Sequence, residues 1–172
     1  MSDLQKLVAV LFLRATPQDL PYSQPTLVKY AVFYVLSGIA VLQSTLKPED
    51  LMAGLLLGFF IQLGFTYFVL RALNHSARFV QTISAILGVG ILFNLLSWPV
   101  FAMLADETIN DSLKSTLSLL FLLLISWEVL VKAHIFKHAL EMRMFSALAL
   151  SFSLFFISVA LSQLLFPAET AG

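Results

Sequence analysis

Three histidines and one glutamate are the residues whose types and spacing come closest to a chemical site. His134, His138 and Glu141 follow one another at intervals of four and three residues, so a continuous helix would present all three on one face. His75 lies in another short gap between apolar runs and could reach the same level. Because imidazole and carboxylate groups bind zinc and other divalent metals, a metal site is the chemistry that this pattern would allow.

The surrounding charges argue against such a site. Lys132, Lys137 and Arg143 are interleaved with the candidate ligands and would repel a divalent cation. Glu128 lies too far upstream for the H-E-x-x-H arrangement of zinc peptidases. We therefore predict no metal and no cofactor, and keep the four residues only as a weak metal candidate. The alternative is an amphipathic helical extension whose basic residues favour anionic lipid.

Nucleophilic chemistry finds no support. The chain has no cysteine, and it contains neither a G-x-S-x-G motif nor a phosphate-binding P-loop. Its last apolar run is rich in serine, but serines in apolar helices commonly pack one helix against another. The histidines lie outside that run, so no base is placed beside these serines. We predict no catalytic residues and no enzyme.

Three amide side chains lie within apolar runs, namely Gln62, Gln81 and Asn94. They would form either a polar path for a substrate or hydrogen bonds between helices, which are worth about 0.6 kcal/mol each. We expect Gln62 to bond to Asn94, because an unpaired amide in hydrocarbon is costly. The middle of each run lacks charged residues, and this favours helix-to-helix hydrogen bonding.

The elements that must position these residues are five long apolar runs without Asp, Glu, Lys or Arg, at residues 30–46, 51–70, 79–105, 115–127 and 144–168. A helix of roughly 20 apolar residues crosses the hydrocarbon core of a bilayer. Only 12% of the residues are charged, half the share of an ordinary soluble domain at about 25%. The sequence therefore predicts an all-α integral membrane bundle, a domain over residues 26–168 whose five spans lie at about 28–46, 51–71, 79–99, 113–132 and 144–166.

Basic residues fall on alternate gaps between these runs. Lys47 and Lys114 are the exceptions, and the other eight Lys and Arg lie on one side of the predicted bundle. Lys and Arg in short loops stay cytoplasmic, so we predict that the N-terminus lies on the cytoplasmic side and the C-terminus on the outer side. The predicted basic inner face contains Arg71, Arg78, Lys132, Lys137 and Arg143. Formal net charge is zero, which gives no indication of nucleic-acid binding.

Residues 1–25 precede the first span. The apolar stretch at 7–13 is short and no small-x-small cleavage site follows it, which disfavours a signal peptide. Pro17, Pro21 and Pro25 then interrupt any helix. We predict a short helix over residues 3–14 in the cytoplasmic membrane interface, followed by a proline-rich tether. A frayed tail is the alternative.

Small residues and one proline mark special positions in the spans. Gly54 and Gly58 are four residues apart, with Gly64 in the same run and Gly88 in the next. Such glycines let a neighbouring backbone approach closely, so we expect packing inside the bundle, with dimerisation as the alternative. Pro99 removes the hydrogen bond to the Leu95 carbonyl and should kink or end the third span.

Glu128 and Lys132 have the spacing of an ion pair on one helix face. They lie towards the cytoplasmic end of the fourth span, beside Trp127, a residue type enriched at headgroup level. We predict that the pair anchors the helix at the membrane surface.

A family resemblance rests on the span pattern and one short motif. Five spans after a cytoplasmic N-terminus, with a third span entered through Ala77-Arg78-Phe79-Val80-Gln81-Thr82 and continuing to Gly88, resemble the bacterial branch of the Yip1 family over about residues 25–166. The resemblance implies a membrane scaffold or adaptor in a bacterial inner membrane, with the C-terminus in the periplasm, and no catalytic residues. The Asp-Leu-Tyr-Gly-Pro and Gly-Tyr elements of the eukaryotic members are missing, and the central proline is displaced to Pro99. The small GTPase partner of those members is therefore not carried over.

These observations predict a scaffold or adaptor that organises another membrane component. Its partners would be the lipid bilayer and a membrane protein or a second copy of the chain. One alternative is a small transporter or channel-like subunit that uses Gln62, Gln81 and Asn94. Another is lipid handling, in which the kink at Pro99 and the basic inner face hold headgroups.

Overall fold

The computed structural model describes residues 2–43, 48–106 and 108–166, apart from the side chains of residues 48 and 49. These ranges contain six helices and no strand: α1 (Asp3–Leu11), α2 (Gln24–Leu42), α3 (Pro48–Ala72), α4 (Phe79–Leu104), α5 (Asp111–Leu140) and α6 (Met144–Leu165). Two 3-10 turns, Pro17–Asp19 and Ser76–Arg78, precede α2 and α4. The predicted all-α class is confirmed.

Helices α2 to α6 are, by length and composition, long and apolar enough to cross a membrane. The five predicted spans are thus present as helices, with different ends. Helix α5 continues to Leu140 rather than to about residue 132, and α4 continues through Pro99 to Leu104. Of the two outcomes expected at Pro99, the end of the helix is wrong, because proline removes only one of the helical hydrogen bonds; the kink stays a prediction. Residues 44–47, 107 and 167–168 of the predicted domain lie outside the described residues.

Short polar side chains set several helix ends. At the start of α1, the Ser2 hydroxyl accepts from the Gln5 N–H (3.3 Å) and the Gln5 amide oxygen accepts from the Ser2 N–H (2.8 Å). Asn110 caps α5 in the same manner, accepting from the Leu113 N–H at 2.8 Å. These bonds satisfy N–H groups that have no partner within the helix. Helix α5 ends where Glu141 adopts a left-handed backbone (φ 54°).

Helix α4 is the centre of the bundle. Nine consecutive residues, from Thr82 to Gly90, are buried, so α4 is enclosed on all sides along this stretch. In its most apolar window 56% of the residues are buried, against 17–28% for the other four long helices. Helices α2, α3 and α5 pack around α4, and α6 packs mainly against α5. The less buried helices are those whose apolar side chains are left to face lipid.

Helix α1 occupies a slot on α4. Leu7, Val10 and Leu11 are buried in the shared apolar core, and Leu7 lies directly against Gly88. Gly88 is about 13 Å along α4 from Phe79, at 1.5 Å per residue. The predicted short helix is therefore present, but it ends at Leu11 rather than at residue 14, because Leu13 adopts a left-handed backbone (φ 59°). It is docked, not frayed, and it reaches well into the bundle. We call the end where α1, the start of α4 and the end of α5 meet the α1 end.

Close helix contacts occur at three glycines. A Cβ added to Gly88 would lie 2.4 Å from Leu7, one at Gly90 would lie 2.7 Å from Tyr34, and one at Gly38 would lie 2.7 Å from Leu55. Packing at Gly88 is thus confirmed.

The glycines predicted to pack in α3 behave differently. A Cβ added at Gly58 or Gly64 would have no atom of the described residues within 4 Å. The prediction of packing inside the bundle is wrong for both, because the helix surface there borders open space. Gly54 lines a cavity, as described below.

Candidate functional site

A cavity of about 350 Å³ lies between α2, α3, α5 and α6. Its polar lining comes from four helices and its apolar lining mostly from α6. The polar lining includes Tyr34, Gln62, Glu128, Lys132 and Ser151. The volume is at the small end of the range for ligand pockets, which is about 300–1,000 Å³.

The polar lining residues lie at similar depths in the bundle. At 1.5 Å per residue, Tyr34 is about 15 Å from Gln24 at the start of α2, and Gln62 is about 15 Å from Ala72 at the end of α3. Lys132 is about 12 Å from the end of α5. These distances from the α1 end are near half of a hydrocarbon core about 30 Å thick. The cavity is therefore close to the middle of the spanning helices.

The ion pair predicted on α5 is present, but it faces this cavity. Lys132 Nζ lies 2.7 Å from Glu128 Oε1, and the side chains are 14% and 31% exposed, respectively. Both line the cavity together with Tyr34 and Gln62. The prediction of a surface anchor is wrong, because this face of α5 turns towards α2 and α3. Lys132 consequently does not belong to a basic surface.

Gln62 is buried with only half of its amide satisfied. Its Nε2 donates a short hydrogen bond to the Tyr34 hydroxyl, whereas its Oε1 has no partner among the described residues. The hydroxyl of Thr66, one turn further along α3, is also buried without a partner. The expected bond between Gln62 and Asn94 is wrong, since Tyr34 on α2 comes between α3 and α4.

Asn94 belongs to an adjoining cavity. Its Nδ2 donates to the Ser37 hydroxyl at 3.0 Å, and Ser37 donates in turn to the Tyr34 carbonyl. A cavity of about 220 Å³ is lined by Asn94 and shares Tyr34 and Gly58 with the first. A third cavity, of about 230 Å³, has both Asn94 and Glu128 in its lining. The shared residues place the three cavities side by side inside the bundle.

Gln81 lies elsewhere, at the α1 end. Its Nε2 donates to the carbonyls of Gln18 (3.3 Å) and Leu20 (3.0 Å) in the tether. Gln81 therefore fixes the tether and takes no part in the polar interior of the bundle. The Leu20 side chain is buried, at 2% exposure, so the tether is ordered against the helices.

The four residues of the weak metal candidate also lie at the α1 end, but they have separate contacts. His134 Nε2 lies 3.0 Å from the Ala15 carbonyl, and the rings of His134 and His138 contact each other edge to face. Glu141 follows the end of α5, and its carboxylate pairs with Arg78. Among the described residues no group of three His, Cys, Asp or Glu side chains could hold a metal ion. With His75, the four residues therefore do not form a common site.

Arg78 joins the start of α4 to the end of α5. Its guanidinium donates to the carbonyls of His138 (3.3 Å) and Ala139 (3.0 Å) and pairs with Glu141. The hydrogen bond and the charge of Arg78 hold the pKa of Glu141 below its usual value. A carboxylate with a lowered pKa adds stability above its unfolded pKa and loses that contribution as the pH falls through the folded pKa.

Only some residues of the predicted basic face are therefore exposed and available to a partner or to lipid. Lys132 is inside the bundle and Arg78 is bound to the end of α5. Arg143 is exposed, and Lys137 is partly exposed. Arg71 is exposed as well, and it donates to the Tyr67 hydroxyl at 2.7 Å.

Comparisons with protein-family models, with curated proteins and with solved structures give no match to this chain. The resemblance of its span pattern to the Yip1 family accordingly stays a prediction.

Sequence reasoning missed Tyr34 as a site residue. The signal was present, because Tyr30, Tyr34, Ser37, Gly38 and Val41 recur at intervals of three and four residues in an otherwise apolar run. Such a stripe marks the inward face of a helix. In the structure this face holds the hydroxyl that accepts from Gln62.

Proposed function

We propose that this chain is a non-enzymatic multi-span membrane protein that binds a small polar molecule in the cavity around Gln62, as a transporter or transporter subunit. The unpaired Oε1 of Gln62 is the observation that carries this proposal. A buried acceptor without a partner costs about 1–3 kcal/mol. A bound molecule that donates a hydrogen bond to this oxygen would remove the cost. The polar interior thus favours the transporter alternative over the scaffold.

The arrangement of the cavities supports movement as well as binding. The first cavity reaches Lys132 on the side of the α1 end, and the adjoining ones reach Asn94 and Ser97 further along α4. Polar groups inside a membrane bundle are expensive and commonly mark solute paths. A molecule bound at Gln62 would have hydrogen-bonding groups on both sides of it.

The test uses two glycines of α3 that are matched in environment. Gly58 and Gly64 are matched in that a Cβ added at either position would have no atom of the described residues within 4 Å. Gly58 lines the first two cavities, whereas Gly64 lines neither. We expect Gly58→Leu to fill the binding space while Gly64→Leu leaves it unchanged. The measurement is mass spectrometry of small molecules and lipids retained after purification in a mild detergent.

The expected result is one molecule enriched in the wild type and in Gly64→Leu, and lost in Gly58→Leu and Gln62→Leu. Circular dichroism should show that all four proteins are folded. A wild type that retains nothing, or a Gly58→Leu variant that retains as much as the wild type, would overturn the proposal.

A scaffold role is the second candidate, because α3 has an open surface at Gly64 and Arg71 and Arg143 are exposed. The resemblance to the Yip1 family supports the same role. It predicts a protein that co-purifies in fixed proportion with the wild type. Gly64→Leu, or Arg71→Gln with Arg143→Gln, should release that protein. If the protein is a scaffold, Gly58→Leu should leave the co-purifying protein bound, because Gly58 lines the cavity and not this surface.

We also propose that the α1 end is cytoplasmic, on the support of the basic residues, and that the membrane is a bacterial inner membrane, on the support of the resemblance to the bacterial branch of the Yip1 family. The chain has no cysteine, so single cysteines give a clean test. A membrane-impermeant maleimide applied to intact spheroplasts should label Asp106→Cys and leave Ser2→Cys unlabelled. The reverse pattern would contradict this orientation.

A further inference from the structure

We infer that the cavity at Gln62 selects a zwitterion, a small molecule or headgroup that carries one ammonium group and one acidic group. This inference rests on the proposed function, because it names the ligand class of the same cavity. It follows from the charge and the hydrogen-bonding groups of the lining residues.

The charge of the lining restricts the ligand first. Glu128 and Lys132 are the charged residues that line the cavity, and their charges cancel. A ligand with a net charge would bring an uncompensated charge into a low-dielectric site near the middle of the bundle, which is strongly unfavourable. A ligand with no net charge avoids this cost.

The free hydrogen-bonding groups then favour separated charges on the ligand. Lys132 uses one N–H on Glu128 Oε1, and its ammonium group has two more. Two acceptors are left in the lining. One is the second carboxylate oxygen of Glu128, which the ion pair does not use, and the other is the Oε1 of Gln62, which has no partner among the described residues. Lys132 and the Tyr34 hydroxyl can therefore hold an acidic group, while Glu128 and Gln62 hold an ammonium group.

The shape of the cavity allows two sources of such a ligand. Its volume suits a free zwitterion or a single headgroup. Its lining also includes Ser162 and Gln163, which are exposed on the outer part of α6, and Gly58 leaves open space opposite. A headgroup could therefore enter with its acyl chains left outside the bundle.

The first arm of the test measures free zwitterions on the purified wild-type protein. The probes are L-alanine, the cation L-alaninamide, the anion L-lactate and the neutral lactamide, which have nearly the same size. The readout is the ligand-dependent shift of thermal unfolding in detergent. We expect L-alanine to bind at least about ten-fold more tightly than any of the other three, a difference of about 1.4 kcal/mol.

The second arm measures headgroups. The protein is placed in nanodiscs that contain equal parts of phosphatidylethanolamine, a zwitterion, and phosphatidylglycerol, an anion. Native mass spectrometry after release from the discs should then show retained phosphatidylethanolamine in at least ten-fold excess. Selection in this arm identifies a lipid source, and selection in the first arm identifies a free one.

Variants that change the charge of the cavity give a further test in both arms. Glu128→Gln leaves a net positive cavity and should shift the preference to lactate or phosphatidylglycerol. The double variant Glu128→Lys with Lys132→Glu restores neutrality, and it should restore the preference for the zwitterion.

Equal or tighter binding of a charged probe by the wild type would overturn the inference. So would the absence of selection for a zwitterion in both arms. The proposed function is judged separately, by the molecule that Gly58→Leu loses and Gly64→Leu keeps. A retained molecule of another charge class would leave that function standing while this inference fails.

Discussion

Removing one partner of the ion pair on α5 tests whether the pair lies inside the bundle, because a buried unpaired charge destabilises the fold. In Lys132→Met the cation is lost while the carboxylate of Glu128 stays in the cavity, close to Tyr34 and Gln62. At 2.7 Å and an effective dielectric constant of about 20, the gross Coulomb attraction of the pair is about 6 kcal/mol. In the wild type this attraction offsets much of the free energy that it costs to remove the two charges from water. In the single variant the desolvation cost of Glu128 remains and no attraction offsets it.

Loss of one partner of a fully buried pair costs about 3–5 kcal/mol. Because Glu128 is 31% exposed, we expect a smaller loss than for a fully buried pair, about 2–3 kcal/mol for Lys132→Met. The double variant Lys132→Met with Glu128→Gln carries no buried charge and should unfold within about 1 kcal/mol of the wild type.

The assay is unfolding in dodecylmaltoside micelles with increasing sodium dodecyl sulfate, followed by circular dichroism. Lys137→Met is the control, because Lys137 lies on the same helix and forms no ion pair among the described residues. It should change the free energy of unfolding by less than about 0.5 kcal/mol. If Lys132→Met is as stable as Lys137→Met, the pair lies at a solvated surface and the reasoning about the cavity is refuted.

Three further predictions concern the α1 end. Gly88→Leu should expel α1, because even a Cβ there would lie 2.4 Å from Leu7; Val10→Cys, buried in the wild type, should then react with a maleimide. In Arg78→Gln the loss of stability as the pH falls below about 4.5, the usual pKa of Glu141, should shrink, because the Arg78 guanidinium that lowers this pKa is gone; the measurement is unfolding against pH. Gln81→Leu should loosen the tether and speed its cleavage by protease, because both of its bonds to tether carbonyls are lost.

Each of these has a clear contrary result. A Val10→Cys that stays unlabelled in Gly88→Leu would show that α1 does not need its slot on α4. An unchanged pH profile in Arg78→Gln would show that the Glu141 pair contributes nothing to stability. Protease cleavage at the wild-type rate in Gln81→Leu would show that the tether is held by its buried side chains alone.

The spans could be predicted because lipid imposes a strong and simple pattern. A helix that crosses a bilayer needs a long apolar run, and each of the five runs overlaps one of the observed long helices. Their ends were harder to place. Helix α5 continues to Leu140 because Arg78 satisfies its last carbonyls, and a partner from a distant part of the chain leaves no local signal.

The site was predictable only in part. Gln62 stands out as a polar residue in an apolar run, but its partner Tyr34 is an ordinary aromatic in the sequence. The inward direction of Glu128 and Lys132 depends on how α5 is rotated against its neighbours. Rotation is fixed by packing at contacts such as Tyr34 on Gly90, which periodicity does not reveal.

The docked N-terminal segment has a consequence for how the protein is made. Ala15 and its partner His134 are 119 residues apart in the chain, and Gln18 and His138 are 120 apart. At about 5–20 residues per second, roughly 6–24 s of synthesis separate the two sides of each contact. Helix α1 and the segment that follows it therefore complete their contacts only after the end of α5 has been synthesised. Until these partners have been made, the apolar face of α1 is unprotected, so a chaperone that binds the nascent α1 would compete with its docking onto α4 and α5.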